Sequence, residues 1–160
     1  MKELNSYTLE RQIAASCEEV FAAFTNPKLV EKWFWGAAAR NTSAMIEARL
    51  GGRIHVETDR QDAFEPIWGD RWAVTGFFTL WEAPTKLCFT QRWLAPVFYN
   101  NPGMNPLDES ILVELTPSLG GTRLRYAHLG IPDAAATPHH KHAVASTLDD
   151  LKKLLEGGKA

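Results

Sequence analysis

Hydrophobic and polar residues alternate along the middle of the chain in a pattern that predicts six consecutive β-strands. Apolar side chains recur there at every second position, which is the spacing of a strand with one buried face. Short segments rich in glycine and proline separate the runs, so successive strands are expected to pair antiparallel. The predicted strands span residues 44–50, 53–58, 73–82, 86–93, 110–116 and 122–129.

The same alternation indicates which side chains of each strand are buried. For residues 53–58, Ile54 and Val56 are the favoured inward set, and Arg53, His55 and Glu57 are the alternative. Residues 73–82 are apolar on both faces, so we expect a bulge or a second covered face there. The inward residues predicted for the last three strands are Leu87, Phe89, Gln91 and Trp93, then Ile111, Val113 and Leu115, and finally Leu124, Tyr126 and His128.

One earlier strand and three helices complete a predicted order of β-α-α-β6-α. The strand covers residues 7–13, and Ser16-Cys17-Glu18-Glu19 then has the form of a capping box, which begins a helix. Asn26-Pro27 ends that helix and begins a second one, because the residue before proline avoids helical geometry. Thr137-Pro138 predicts the start of a last helix that ends at Gly157-Gly158. Its inward stripe is His140, Val144, Leu148, Leu151 and Leu155.

Composition restricts the classes of function. A chain of 160 residues with 45% hydrophobic and 11% aromatic content fits one globular domain. The net charge of −2 argues against nucleic-acid binding, which needs clustered Lys and Arg. No signal peptide, membrane span or nucleotide-binding fingerprint is recognisable, and Cys17 and Cys88 are not spaced as metal ligands. A cytoplasmic protein with reduced thiols and no cofactor is therefore expected.

Three stretches resemble a known family. They are Glu31-Lys32-Trp33-Phe34-Trp35-Gly36 after Asn26-Pro27, Gly76-Phe77-Phe78 with Pro84-x-Lys86-Leu87-x-Phe89-Thr90, and Leu115-Thr116-Pro117 with Gly121-Thr122-Arg123-Leu124 and His128-x-Gly130. In this order they are similar to the START-like (SRPBCC) superfamily, and within it to the C-terminal domain of the activator of the heat-shock-protein-90 ATPase and its bacterial relatives. The resemblance implies a helix-grip α+β fold, in which a curved antiparallel sheet wraps around a long C-terminal helix and encloses a cavity.

Two positions depart from the family pattern. Family members often carry a Gly-Trp pair early in the last helix, where this chain has Ala143-Val144. The connection over residues 60–71 also differs from the short turn that is usual there. Both departures are expected at the mouth of the cavity, and the smaller Val144 is expected to leave the cavity larger.

The resemblance and the aromatic content together predict binding of a small hydrophobic molecule, lipid-like or aromatic, between the sheet and the last helix. Phe98 adds to the aromatic set, and residues 94–109 are long enough to form a lid over the cavity. The predicted ligand-binding residues are Trp33, Trp35, Phe78, Phe89, Trp93, Tyr99, Tyr126, His128, His140, Val144 and Leu148.

Two other functions stay open, a co-chaperone module that binds a chaperone and a cyclase or lyase using His128 or His140 with Tyr99 or Tyr126. No residue is assigned as catalytic. His128 is read either as a core histidine with satisfied hydrogen bonds or as a group that contacts a ligand. His139-His140-Lys141-His142 lacks the i, i+4 spacing of paired metal ligands, so no metal site is predicted. The acidic residues Glu57, Asp59 and Asp62 are expected to be solvated. Cys17 is expected to have a structural role at the start of its helix.

Overall fold

The computed structural model of the chain describes residues 5–36, 39–59, 71–94, 109–131 and 137–157. These residues form seven strands and three helices in the predicted order, and the prediction of a helix-grip α+β fold is confirmed. The strands are β1 (Asn5–Ile13), β2 (Arg40–Ile46), β3 (Arg53–Asp59), β4 (Arg71–Glu82), β5 (Lys86–Trp93), β6 (Glu109–Ser118) and β7 (Gly121–Ile131). The helices are α1 (Cys17–Thr25), α2 (Pro27–Trp33) and α3 (Thr137–Glu156).

All seven strands pair antiparallel in one curved sheet with the order β1-β7-β6-β5-β4-β3-β2. Because β1 and β2 lie at opposite edges, α1 and α2, which connect them, must cross one face of the sheet. Helix α3 packs against β1 and α2, and its Leu148 and Leu151 are fully buried. The hydrophobic core therefore lies between the inner face of the sheet and the helices.

The start of α1 and the junction between α1 and α2 form as predicted. Ser16 Oγ accepts the backbone N–H of Glu19 at 3.1 Å, and the Glu19 carboxylate accepts the N–H of Ser16 at 2.8 Å. These two hydrogen bonds are the predicted capping box. Asn26 follows α1, and its Oδ1 accepts the N–H of Lys28 at 2.9 Å, so it caps the start of α2.

Strand β4 contains a bulge, which is one of the two alternatives that its apolar faces predicted. Its register against β5 shifts between Phe78 and Leu80. Before the shift Phe78 points inward and Phe77 is 49% exposed, whereas after it Trp81 packs against the core. The extra residue thus moves the inward side of the strand from even to odd positions.

The inward faces predicted for the other strands are confirmed. Ile54 and Val56 are buried in β3, and in β5, β6 and β7 the predicted inward residues are buried, apart from the partly buried Trp93.

The predicted bounds of β2 were wrong: the strand covers Arg40–Ile46 instead of residues 44–50. The chain turns earlier because the N–H of Arg49 bonds to Glu47 O at 2.8 Å and that of Gly51 bonds to Phe78 O at 2.8 Å. Gly51 has a φ of +75°, which glycine adopts without steric cost. Leu50, which extended the apolar pattern, is an exposed turn residue.

Candidate functional site

One end of the sheet gathers the polar and aromatic side chains of the inner face. We call it the site end: β1, β4, β6 and α3 begin there, and β5 and β7 end there. Tyr7 on β1 pairs directly with His128 on β7. His128 also pairs with Ile111 on β6, and Gln91 on β5 pairs with Glu109 on β6. Glu109 lies two residues before Ile111 on β6, and Trp93 lies two residues after Gln91 on β5. A diagonal row therefore runs across the strands, from Tyr7 through His128, Glu109 and Trp93 to Trp72.

Tyr7, His128 and Glu109 form a continuous hydrogen-bonded group that we call the polar cluster. Tyr7 Oη lies 2.9 Å from His128 Nδ1, and His128 Nε2 lies 2.8 Å from Glu109 Oε2. The same carboxylate oxygen accepts the indole N–H of Trp93 at 3.2 Å. His128 is 1% exposed and Glu109 2%, so the pair is removed from water.

The protons of the polar cluster are assigned from the hydrogen bonds that its three members make. With Glu109 ionised and His128 neutral, the Nε2–H of His128 donates to the carboxylate and the Tyr7 hydroxyl donates to Nδ1. In the two alternatives, a doubly protonated His128 or a protonated Glu109 that donates to Nε2, the Nδ1–H is directed at Tyr7 Oη. The Tyr7 proton would then need another acceptor, and no hydrogen bond among the described residues supplies one. We therefore assign a single buried negative charge to the polar cluster.

Burial also determines the ionisation of the two inward tyrosines. Burial first, and then the nearby Tyr126 and Glu109, raises the pKa of Tyr7 far above its ordinary value. Burial, with Glu109 as the second cause, raises the pKa of Tyr126 as well. Both phenols therefore keep their protons at neutral pH and act as hydroxyl groups.

Aromatic rings surround the polar cluster on the side of β4. Trp35, which follows α2, lies 6.0 Å from Trp72 and 5.5 Å from Trp93 between ring centroids, and Trp72 lies 6.4 Å from Trp93. We call these three residues the tryptophan cluster. His140, in the first turn of α3, has its ring 6.0 Å from both Trp93 and His128. The start of α3 thus lies against both clusters.

Comparison with known families identifies the fold group. The model of the family described as Activator of Hsp90 ATPase homolog 1-like protein matches residues 14–156. The chain belongs to this family. Membership supports a ligand-binding or Hsp90 co-chaperone-like family. No curated protein matches the chain.

Solved structures from this structural group resemble the chain over nearly its whole length. A crystal structure of a Chromobacterium violaceum protein has a TM-score of 0.75 at 24% identity, covering 95% of this chain and 97% of that one. A Mesorhizobium loti protein has a TM-score of 0.75 at 23% identity, covering 98% and 100%. The AHSA1-like protein from Aeromonas hydrophila has 0.71 at 22%, covering 96% and 94%. At these identities the similarity establishes the fold alone.

The predicted ligand-binding residues fall into two groups. Trp35, Trp93, His128 and His140 meet at the site end, and Val144 lies one helical turn further along α3, partly buried against the core. The others lie deeper in the core, where Trp33 donates its indole N–H to Ala23 O at 2.8 Å. The fully or almost fully buried members of that deeper group are Trp33, Phe78, Phe89, Tyr126 and Leu148.

Several predictions fall outside the described residues. They concern Tyr99 and Phe98, the lid over residues 94–109 except its described ends, Asp62, and most of the connection over residues 60–71. They stay predictions.

Other candidate chemistry is accounted for by local contacts. Cys17 and Cys88 are free, and Cys17 lies buried at the start of α1, where Thr122 contacts its sulfur at 3.5 Å. His142 is exposed. Within the described ranges, no three His, Cys, Asp or Glu side chains converge as a metal site requires. None of the helices described there is both long and apolar enough to cross a membrane.

A surface depression of about 200 Å³ lies on the solvent side of β1 and β7, away from the core. Its lining is polar and charged, so it does not correspond to the predicted apolar cavity. The lining residues are Glu10, Arg11, Gln12 and Arg123.

Three residues of the site end were not predicted from the sequence: Tyr7, Glu109 and Trp72. Tyr7 had a signal, because it shares the parity of the buried Ile13 within the first predicted strand. Glu109 also had one, because it lies two residues before the inward Ile111. From the sequence, Glu109 was instead assigned to the connection over residues 94–109.

Proposed function

We propose that this domain binds a small, largely apolar molecule, lipid-like or aromatic, between the sheet and α3 at the site end. The observation that carries the proposal is the position of the polar cluster. The inner face of the sheet is mostly apolar, and at the site end it carries this buried hydrogen-bonded group beside three tryptophans. Apolar surfaces with a few convergent polar groups are typical of small-molecule sites.

The energetics of burial support a functional role for Glu109. Removing a carboxylate from water is costly, and apolar side chains of similar volume often stabilise a core as well as a buried ion pair does. Glu109 is 2% exposed, in a strand whose next two inward residues, Ile111 and Val113, are apolar. Stability alone gives little reason for the polar cluster, whereas recognition of a polar ligand group does.

The packing of α3 supports the same location. Leu148 and Leu151, in the second half of the helix, are fully buried. Val144 and His140, in the first half, are only partly buried although they lie on the same stripe. The first turns of α3 therefore cover the sheet less completely, at the end where the polar cluster and the tryptophan cluster lie.

Binding of an uncharged fluorescent probe tests the proposal. N-phenyl-1-naphthylamine is expected to bind the parent protein with increased fluorescence and to raise its melting temperature. Val144→Trp should weaken this binding at least about fivefold while leaving the circular dichroism spectrum unchanged, because the indole would occupy the space beside His140. Leu119→Trp is the matched control, since Leu119 is fully exposed in the β6–β7 turn at the opposite end. Equal affinity in the parent and Val144→Trp would place the site elsewhere.

A co-chaperone role is the second candidate, because apolar side chains are exposed on the outer side of β2 and β4 and in the β2–β3 turn. Met45 is 66% exposed, Leu50 61% and Phe77 49%, and Arg53 lies over the Phe77 ring. A surface of this kind suits a protein partner. Loss of probe binding in Met45→Ser with Phe77→Ser, and not in Val144→Trp, would favour this candidate.

A further inference from the structure

We propose that the site end selects ligands whose polar group is an uncharged hydrogen-bond donor, an alcohol or a phenol, and rejects carboxylates. This inference rests on the proposed function and adds the chemical class of the ligand. It follows from which lone pairs and protons of the polar cluster are already used, and from its charge.

The hydrogen bonds within the polar cluster leave one acceptor available at its end, the phenol oxygen of Tyr7. Both ring nitrogens of His128 are engaged, Nε2 by Glu109 and Nδ1 by Tyr7. The Tyr7 proton points at Nδ1, so the phenol oxygen retains a free lone pair and no free proton. A ligand that reaches this oxygen must therefore bring its own proton. A direct contact between a ligand and a nitrogen of His128 would require breaking one of these hydrogen bonds.

The charge of the polar cluster acts in the same direction. Glu109 carries the single buried negative charge, and its Oε2 already accepts N–H groups from His128 and Trp93. A ligand carboxylate placed beside Tyr7 would lie one histidine away from that charge, in a region of low dielectric where like charges repel strongly. In addition, the carboxylate would lose its hydration without gaining a hydrogen bond from Tyr7, whose proton is already donated to His128. An alcohol or phenol meets neither penalty.

Three naphthalene derivatives of similar size separate these effects: 2-naphthol, 2-naphthoate and 2-methylnaphthalene. Their affinities are measured at pH 7 by displacement of N-phenyl-1-naphthylamine. We expect 2-naphthol to bind about fivefold more tightly than 2-methylnaphthalene, the gain of one ordinary hydrogen bond. We expect 2-naphthoate to bind at least about tenfold more weakly than 2-naphthol.

Two variants assign these differences to the polar cluster. Tyr7→Phe should remove the advantage of 2-naphthol over 2-methylnaphthalene and leave the affinity for 2-methylnaphthalene nearly unchanged. Glu109→Gln keeps an oxygen for His128 and Trp93 but removes the charge, so it should reduce the discrimination against 2-naphthoate to less than about threefold. Glu114→Gln, on the outer face of the same strand β6, is the matched control and should keep the parent's preference.

The outcomes separate this inference from the proposed function. If 2-methylnaphthalene binds and 2-naphthoate binds as tightly as 2-naphthol, the selection for donors is refuted and apolar binding stands. The same conclusion holds if Glu109→Gln and Glu114→Gln have equal effects. Failure of all three compounds to displace the probe, or to bind at all, overturns the proposed function and the inference together.

Discussion

Alkaline pH is expected to destabilise the fold through the two buried tyrosines, Tyr7 and Tyr126. The ordinary tyrosine pKa of 10.0 applies to the unfolded chain, and burial raises the pKa of both groups in the folded protein. Below pH 10 both states hold the phenol protons, so the free energy of unfolding does not depend on these groups. Above pH 10 the unfolded chain loses them and the folded protein keeps them, so stability falls as the pH rises.

The magnitude follows from proton linkage. Each tyrosine that stays protonated in the folded protein lowers the free energy of unfolding by about 1.4 kcal/mol between pH 9 and pH 11. Tyr7 and Tyr126 together should therefore cost about 2.8 kcal/mol over this interval. Tyr7→Phe should halve the loss. The same variant also lacks the hydrogen bond to His128. Loss of this bond lowers the free energy of unfolding by about 1 kcal/mol at every pH, so it does not affect how the free energy of unfolding changes with pH.

Urea unfolding at pH 8, 9, 10 and 11 measures this dependence directly. The parent, Tyr7→Phe and Tyr126→Phe are compared at each pH, so that the titration of lysines, present in all three, cancels. The reasoning is refuted if the parent and Tyr7→Phe lose the same free energy between pH 9 and pH 11. That result would mean that Tyr7 ionises as readily in the folded protein as in the unfolded chain, and hence is not buried in the polar cluster.

Two further predictions concern local structure. Ser16→Ala removes one bond of the capping box and should lower the free energy of unfolding by about 1 kcal/mol in urea titrations; an unchanged value would mean that the box does not hold the start of α1. Added zinc should leave the melting temperature unchanged both in the parent and in the His139→Ala, His142→Ala double variant, whereas a stabilisation that grows with zinc concentration and is lost in the double variant would contradict this.

Local patterns in the sequence predicted most of the fold, because they depend on neighbours a few residues apart. The capping box requires only Ser16 and Glu19, and the inward faces of the strands require only a period of two. The bounds of β2 were wrong for the opposite reason. They depend on the hydrogen bond from Gly51 to Phe78, which joins segments distant in the chain.

The site was predictable only in part for the same physical reason. Parity placed His128 inside, but its partners Tyr7 and Glu109 lie 121 and 19 residues away in the chain. Which residue faces which across a sheet depends on strand order and register, and a single strand's pattern does not contain either. Glu109 was also hard to predict because charged residues are rarely buried unless they are paired.

Indole N–H resonances give the most direct test of a ligand site between the sheet and α3. In a ¹H–¹⁵N spectrum titrated with 2-naphthol, the resonances of Trp35, Trp72 and Trp93 should shift together and saturate. The resonance of Trp81, which packs against Phe21 and Phe78 at the other end, should stay in place. An unmoved tryptophan cluster, with shifts confined to backbone amides around Met45 and Phe77 on the outer face, would contradict the account.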